Sequence, residues 1–237
     1  MKFLTRLTNF FQSGTRPSGP TLDLVSMHIP KTAGITFREI LFNVYGEEAV
    51  CAVNRGELKR GNQTLEECME ENHRVLHGHL HFKELEPVLT RDTKLVTWFR
   101  EPVARVISNY FYNITYEYPK RVKENPDLPL LTLEEFIEKP NRVNVMSQFM
   151  EGLDLEDVFF LGFQEDFLAD LSTLSEKLEW PSEAVDESLR LNDNRRVKQD
   201  RGPVSESVKH RIRELNKVDI ELYEQALAMK ESGYWRN

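Results

Sequence analysis

Apolar positions along the chain follow two alternating periods. Around residues 22–29 they fall at both parities (Leu22 and Leu24, Val25 and Met27), the pattern of a strand covered on both faces as in a parallel sheet. After a short loop that begins at Pro30, Phe37, Ile40, Leu41 and Val44 recur at i, i+3, i+4 and i+7, which predicts a helix starting near Ile35. The alternation then repeats. Further strands are predicted at about 74–80, 94–99 and 157–163. Pro102 suits the first turn of a helix, where no amide donor is missed. That helix carries Val103, Val106, Ile107, Tyr110 and Phe111 on one face, with Arg105, Ser108, Asn109 and Tyr112 on the other. Another turns Phe167, Leu168, Leu171, Leu174 and Leu178 inward, and Pro181 follows its end. A final helix from about Ser205 to Met229 has Val208, Ile212, Leu215, Leu222 and Tyr223 as its stripe. Strands alternating with helices predict an α/β fold, a three-layer sandwich with a mostly parallel central sheet.

The polar stretches divide this pattern. Thr64 with Glu67, and Thr132 with Glu135, have the spacing of capping boxes, and each predicts a short helix. Residues 46–63 read as irregular. Residues 113–131, rich in Tyr, Pro and charge, read as a long excursion from the sheet, of the kind that carries function in compact domains. Residues 13–20 have the Gly, Pro and Ser content of a linker. Before them, Phe3, Leu4, Leu7, Phe10 and Phe11 lie at helical spacing beside Lys2 and Arg6. That suits either a short helix packed on its own domain or a partner, or a weak peripheral membrane contact through residues 1–12. The expected organisation is an N-terminal tail and linker over 1–20 and a single domain over 21–237.

Composition narrows the class. A chain of 237 residues with 40% hydrophobic and 30% charged residues has material for one sizeable core. A net charge of −8 argues against a nucleic-acid partner, which requires a basic face, but a local basic cleft can still hold a small anion. Cys51 and Cys68 match no metal or redox spacing, and two reduced thiols are expected. No run approaches the roughly 18 apolar residues of a membrane-spanning helix. Thr5, Arg6, Thr8 and Asn9 interrupt any signal-peptide core. The expected location is cytoplasmic.

Chemistry-bearing residues gather in three places. The first is the loop after the first strand, Pro30-Lys-Thr-Ala-Gly-Ile-Thr36, where a lysine, hydroxyls and a helix N-terminus come together as an anion site would require. It is not a Walker loop, because lysine comes first and Gly34 is the only glycine. The second is His77-Gly-His-Leu-His81. On a strand, His77, His79 and His81 project to one face, and imidazole is the side chain best poised to take a proton near neutral pH. Alternate histidines can also hold zinc, but nothing else nearby has ligand spacing, so no metal is expected. The third place is Arg100 at a strand's C-terminal end, with Ser108 six residues beyond Pro102 on the helix. An arginine there can grip a phosphate through two parallel hydrogen bonds.

Read together, these stretches resemble the sulfotransferases that use 3′-phosphoadenosine 5′-phosphosulfate (PAPS). The 28–37 stretch is similar to their 5′-phosphosulfate loop and the 99–110 stretch to their 3′-phosphate motif, with Glu101 where the family usually has Asp. The nearest likeness is to the carbohydrate branch that includes heparan sulfate 2-O-sulfotransferase, whose catalytic His-Gly-His matches residues 77–79. Similarity runs from about residue 24 to 112 and weakly beyond, through 160–165 and the last helix. The resemblance implies a P-loop-NTPase-like sulfotransferase fold, PAPS as donor and its product PAP. It also implies an acceptor hydroxyl, on a glycan or glycoconjugate. Lys31 would stabilise the leaving group. Thr32, Ala33, Gly34, Ile35, Thr36 and Phe37 would surround the 5′-phosphate, and Arg100 and Ser108 would hold the 3′-phosphate. His77 is favoured as base, with His79 as second base or substrate ligand, and His28 is a core residue. Arg195, Arg196 and Lys198 loosely resemble a basic loop that closes over the nucleotide. Tyr110, Tyr112, Tyr116 and Tyr118 have the chemistry of a sugar platform. Two other readings stand beside this one, a nucleotide kinase with a degenerate P-loop and a non-catalytic PAPS- or nucleotide-binding module.

Overall fold

The computed structural model describes residues 22–53, 56, 64–65, 67–69, 72–181, 185 and 202–236. Arg195, Arg196, Lys198 and the segment 1–20 therefore lie outside the described residues. Among those described, five strands form one parallel sheet: β1 (Leu24–Met27), β2 (Val50–Val53), β3 (Val75–Gly78), β4 (Lys94–Phe99) and β5 (Phe160–Phe163). Their order across the sheet is β2-β3-β1-β4-β5, and every adjacent pair runs parallel. All residues of β1, β3 and β5 are buried, so helices and loops cover both faces, as a parallel sheet requires. The α/β expectation from the strand pattern is met.

The helices begin where the local chemistry favours them. α1 (Gly34–Tyr45) buries Phe37, Ile40 and Leu41 against the sheet. A short α2 (Phe82–Leu85) follows β3, and α3 (Pro102–Tyr112) opens directly after β4 with proline in its first turn. The Thr132 and Glu135 capping box forms as its spacing predicts and starts α5 (Leu133–Ile137). Thr64 and Glu67 exchange the same reciprocal bonds, here opening only a 3₁₀ turn. Further along come α6 (Val145–Phe149), α7 (Phe167–Lys177), α8 (Glu206–Leu215) and α9 (Lys217–Glu231).

Several expectations are corrected. The 46–63 stretch contains β2, an edge strand of only four residues whose pairing with β3 gives it order that its polar surroundings conceal. The 113–131 stretch starts as a continuation of α3. Asn113–Glu117 is one π-helical turn, and Tyr118–Glu124 continues as α4, with Pro119 tolerated in its first turn. The final helix is two helices, broken at Asn216. That side chain is buried and accepts a hydrogen bond from the Asn144 amide at 2.8 Å while donating to the Ile212 carbonyl at 2.9 Å. The cysteines are not free thiols: Cys51 and Cys68 form a disulfide with Cα atoms 5.4 Å apart. It ties β2 to the turn at 67–69, and it removes one ground of the cytoplasmic expectation, which took both thiols as reduced. No helix among the described residues is long and apolar enough to cross a membrane.

Arg105 is buried against the pattern of its helix. Its place on the polar face of α3 suggests solvent, yet the side chain is fully buried with its Nη2 4.0 Å from Asp219 Oδ2. Asp219 in turn accepts from the amides of Met146 and Ser147 at 3.0 and 2.8 Å. Burial first of all, opposed by Asp219, brings the Arg105 guanidinium down to about 10, still charged at neutral pH. The pair ties α3 to α9 and to the first turn of α6.

Candidate active site

The C-terminal ends of β3, β1 and β4 lie side by side, because these strands are neighbours in the sheet. Each ends in a segment singled out by its chemistry: 77–81 after β3, 28–33 after β1, and Arg100 after β4. In an open α/β sheet this edge, at the point where strand order changes direction, is where ligands bind.

The β1 loop is tightly determined. Thr32 is fully buried, and its hydroxyl donates to the Ile29 carbonyl at 2.8 Å, closing the turn from inside. Its side chain is therefore spent on the loop. Lys31 and Ala33 both adopt left-handed backbone, with φ of 75° and 73°, which costs a side-chain-bearing residue about 1 kcal/mol. Ala33 is the N-cap of α1 and has no side chain able to bond the helix amides, so the first turn keeps donors for an anion. Gly34 is required sterically. A Cβ there would stand 1.9 Å from His28 Nε2. Phe37, which the resemblance places near the nucleotide, has its ring in the core, 5.3 Å from Trp98 and 6.3 Å from Trp180.

Three imidazoles underlie the loop. His28 stacks on His79 with ring centroids 4.1 Å apart and on His77 at 5.1 Å. His77 lies within β3, opposite Ser26 of β1, and its Nδ1 is 2.9 Å from Ser26 Oγ. Burial, followed by the charges of His79 and Arg38, pushes His77 down to about 3. His28 is also held well below its usual value, chiefly by burial and then by His79, His77 and Lys31. His79 lies just past the end of β3 and is half-buried. Its Nδ1 is 2.7 Å from the His28 carbonyl oxygen. A carbonyl can only accept, so Nδ1 carries the proton, and in the neutral ring the lone pair sits on Nε2. His81 packs on Phe149 with centroids 4.3 Å apart, while its amide donates to Glu84 at 2.8 Å. Among the described residues no group of three His, Cys, Asp or Glu side chains converges as metal ligands would.

The β4 segment reaches toward the same loop. Arg100 Nη1 donates to the Lys31 carbonyl at 3.3 Å, so the two motifs are in direct contact. Glu101 N-caps α3, accepting from the Val103 and Ala104 amides at 3.0 and 2.7 Å, while its own amide donates to Glu165 at 2.9 Å. Glutamate thus performs here the capping that a shorter acid would also perform. Ser108 is half-buried, two turns along α3.

The four tyrosines do not act as one surface. Tyr110 and Tyr118 donate to the carbonyls of Leu131 and Leu128 at 3.3 and 3.0 Å and so tie down the 125–131 stretch. Tyr112 and Tyr116 pair with centroids 5.2 Å apart. The Lys31 ammonium lies over the Tyr112 ring, 4.0 Å from its centroid. Sequence reasoning missed this contact and the His28 stack, since neither follows from spacing within one element.

Comparison with known proteins agrees with the motifs. The search of curated proteins finds no match. Solved structures similar to this chain include two sulfotransferases and a retinol dehydratase. Mouse sulfotransferase SULT7A1 complexed with PAP is 12% identical, with 85% of this chain and 73% of that one covered and a TM-score of 0.40. The sulfotransferase domain from the curacin biosynthetic pathway is 15% identical, over 83% and 98% of the two chains, at 0.45. Retinol dehydratase in complex with androsterone and inactive cofactor PAP is 14% identical, over 89% and 67%, at 0.32. These likenesses are distant, and the assignment rests on the family match, which spans residues 19–225. It sets the kinase reading aside: the chain belongs to the sulfotransferase family, and its reaction class is sulfuryl transfer.

Proposed function

We propose that this sulfotransferase moves a sulfuryl group from PAPS to a hydroxyl of a carbohydrate or glycoconjugate, with PAP as the other product. The observation that carries the reading is convergence. Lys31, His79 and Arg100 stand at the C-terminal ends of three adjacent parallel strands, with Arg100 bonded to the lysine's own carbonyl. The residues fit the donor: two cations and a helix N-terminus without a side-chain cap suit a ligand with two separated phosphate groups.

Bound there, PAPS supplies the sulfuryl group and a phosphate oxygen as its leaving atom. Lys31 stabilises negative charge that grows on that oxygen, an interaction stronger in the transition state than before it. The backbone of Thr32, Ala33, Gly34, Ile35, Thr36 and Phe37 holds the 5′ end. Arg100 and Ser108 hold the 3′-phosphate, with Arg195, Arg196 and Lys198 assigned to cover the nucleotide. An acceptor hydroxyl must lose its proton as it attacks sulfur, and a base works best when its pKa lies near the working pH. His77, buried and pushed down to about 3, is ill-suited. His79 is the better base: it is half-buried, held by the His28 carbonyl, and offers Nε2 for the proton. His77 then serves the sheet through Ser26.

The test is a panel of glycan hydroxyl acceptors incubated with PAPS and read by mass spectrometry for one added sulfate. A sulfated product is expected, lost in His79→Ala and restored in part by imidazole. Full activity in His79→Ala would refute the assignment of the base, and a panel with no sulfated glycan would refute the acceptor class.

A further inference from the structure

Lys31 is held at both ends by one segment. Arg100 donates to its backbone carbonyl at 3.3 Å, and the ring of Tyr112 lies under its ammonium at 4.0 Å. Arg100 immediately precedes α3 and its N-cap, and Tyr112 is the helix's last residue, so both grips come from the two ends of the stretch assigned to the 3′-phosphate. The left-handed backbone at Lys31 sets the direction in which its side chain leaves the loop. Tyr112 is itself braced. The chain turns π-helical directly after it, and Tyr116 in that turn packs on its ring at 5.2 Å. The Glu117 carboxylate faces the phenol and, after burial, is the main cause of its raised pKa. Single π-helical turns cluster at functional sites because they re-aim side chains that an unbroken α-helix would point elsewhere.

We propose that Tyr112 is a positioning residue for Lys31, and that its aromatic face holds the ammonium at the crevice. The inference rests on the reading of Lys31 as the group that stabilises the leaving oxygen. The attraction belongs to the ring's quadrupole, so Tyr112→Phe retains it, whereas Tyr112→Leu removes it while leaving an apolar side chain in place. Tyr112 is thereby reassigned from an acceptor platform to the donor side. Its hydroxyl and the neighbouring Tyr116 brace the ring.

Two measurements test this, the first on the protein without donor. In the NMR spectrum, the Lys31 ε-methylene protons, assigned from Lys31→Arg, should be shifted upfield by the ring current relative to the other lysines. The shift should persist in Tyr112→Phe and vanish in Tyr112→Leu; an unshifted Lys31, or one indifferent to Tyr112→Leu, overturns the contact. The second measurement is single-turnover hydrolysis, in which water replaces the acceptor: the bridging S–O bond of PAPS breaks with its electron pair staying on the phosphate oxygen of PAP, water's oxygen bonds to sulfur, and PAP and sulfate leave as water's two protons pass to solvent or to the PAP phosphate. Tyr112→Leu should slow this step about ten-fold, with Tyr112→Phe near the parent and the calorimetric affinity for PAP changed less than about three-fold. In a Lys31→Ala background Tyr112→Leu should cost nothing further. An equal loss of PAP affinity, or a full penalty in that background, assigns Tyr112 to the structure of the site rather than to Lys31. Unchanged hydrolysis in Lys31→Ala alone would instead overturn the reading of Lys31, and the NMR result would still decide the contact.

Discussion

The two motifs at the sheet edge follow one plan and resolve it in opposite ways. Each leaves the C-terminal end of a buried parallel strand and opens a helix. After β1, the helix starts at Gly34, and its N-cap Ala33 adopts left-handed backbone and has no side chain able to cap the first turn. After β4, Glu101 caps α3 with both carboxylate oxygens, and Pro102 removes one donor altogether. The first helix therefore keeps amide donors for an anion, and the second has spent them. An anion beside α3 must be held by side chains, the part proposed above for Arg100 and Ser108. A helix N-terminus is an anion site only where the chain leaves it uncapped.

Changes to the lysine should have the largest effect. Lys31→Ala should lower sulfuryl-transfer turnover by about 10³-fold, the scale of losing one charge-stabilising group, while PAP still binds. A comparable loss of PAP affinity would mean that the β1 loop acts mainly in binding.

Acid should separate the halves next, because only the β1 loop lies on imidazoles. His77 titrates at about 3 in the fold and at 6.5 when unfolded, so between those values the unfolded chain binds the extra proton. Stability should therefore fall as pH drops below 6.5, by about 1.4 kcal/mol per pH unit for this one group, with His28 adding in the same direction. Denaturant titrations from pH 7 to 5 would read the slope, and His77→Asn should flatten it. An unchanged slope in that variant would show that His77 is not the group responsible.

The α3 motif offers a paired test. Arg100→Ala should weaken PAP binding by about 2 kcal/mol, as the loss of a charge-assisted contact would, with little change in melting. Glu101→Ala should do the reverse, costing about 1 kcal/mol of stability through the lost cap. Calorimetry and thermal melts on both variants would check this, and the same profile for both would erase the distinction between gripping and capping. The smallest effect belongs to Ala33→Gly, which relieves the left-handed strain and should stabilise by about 0.5 kcal/mol or less, because the added freedom of the unfolded glycine offsets part of the gain.

Much of this was legible in the residues. The buried strand before Pro30, the α1 stripe, the capping box at Thr132, and proline at the start of α3 are local consequences of sequence and form as such. What was not legible depends on partners distant in the chain. β2 is too short to announce itself and exists through its pairing with β3. Cys51 and Cys68 read as two thiols until folding brings them together. Arg105 lies on a helix face that patterning calls polar, and the carboxylate it is buried beside, Asp219, comes more than a hundred residues on.

The site divides in the same way. Lysine after a strand, arginine after another and a His-Gly-His pair are chemistry that sequence order alone places at strand ends, because strands in a parallel sheet all finish on one side. Which histidine sits inside the sheet and which at its rim is a matter of where β3 stops, one residue past His77. That Lys31 should rest on Tyr112, eighty-one residues later, follows from β1 and β4 being neighbours and from a single π-helical turn. Local propensity and patterning determined the parts of this enzyme, and the likeness of its motifs to a known family pointed to the reaction class. Only the packing of distant segments decided which of those parts touch.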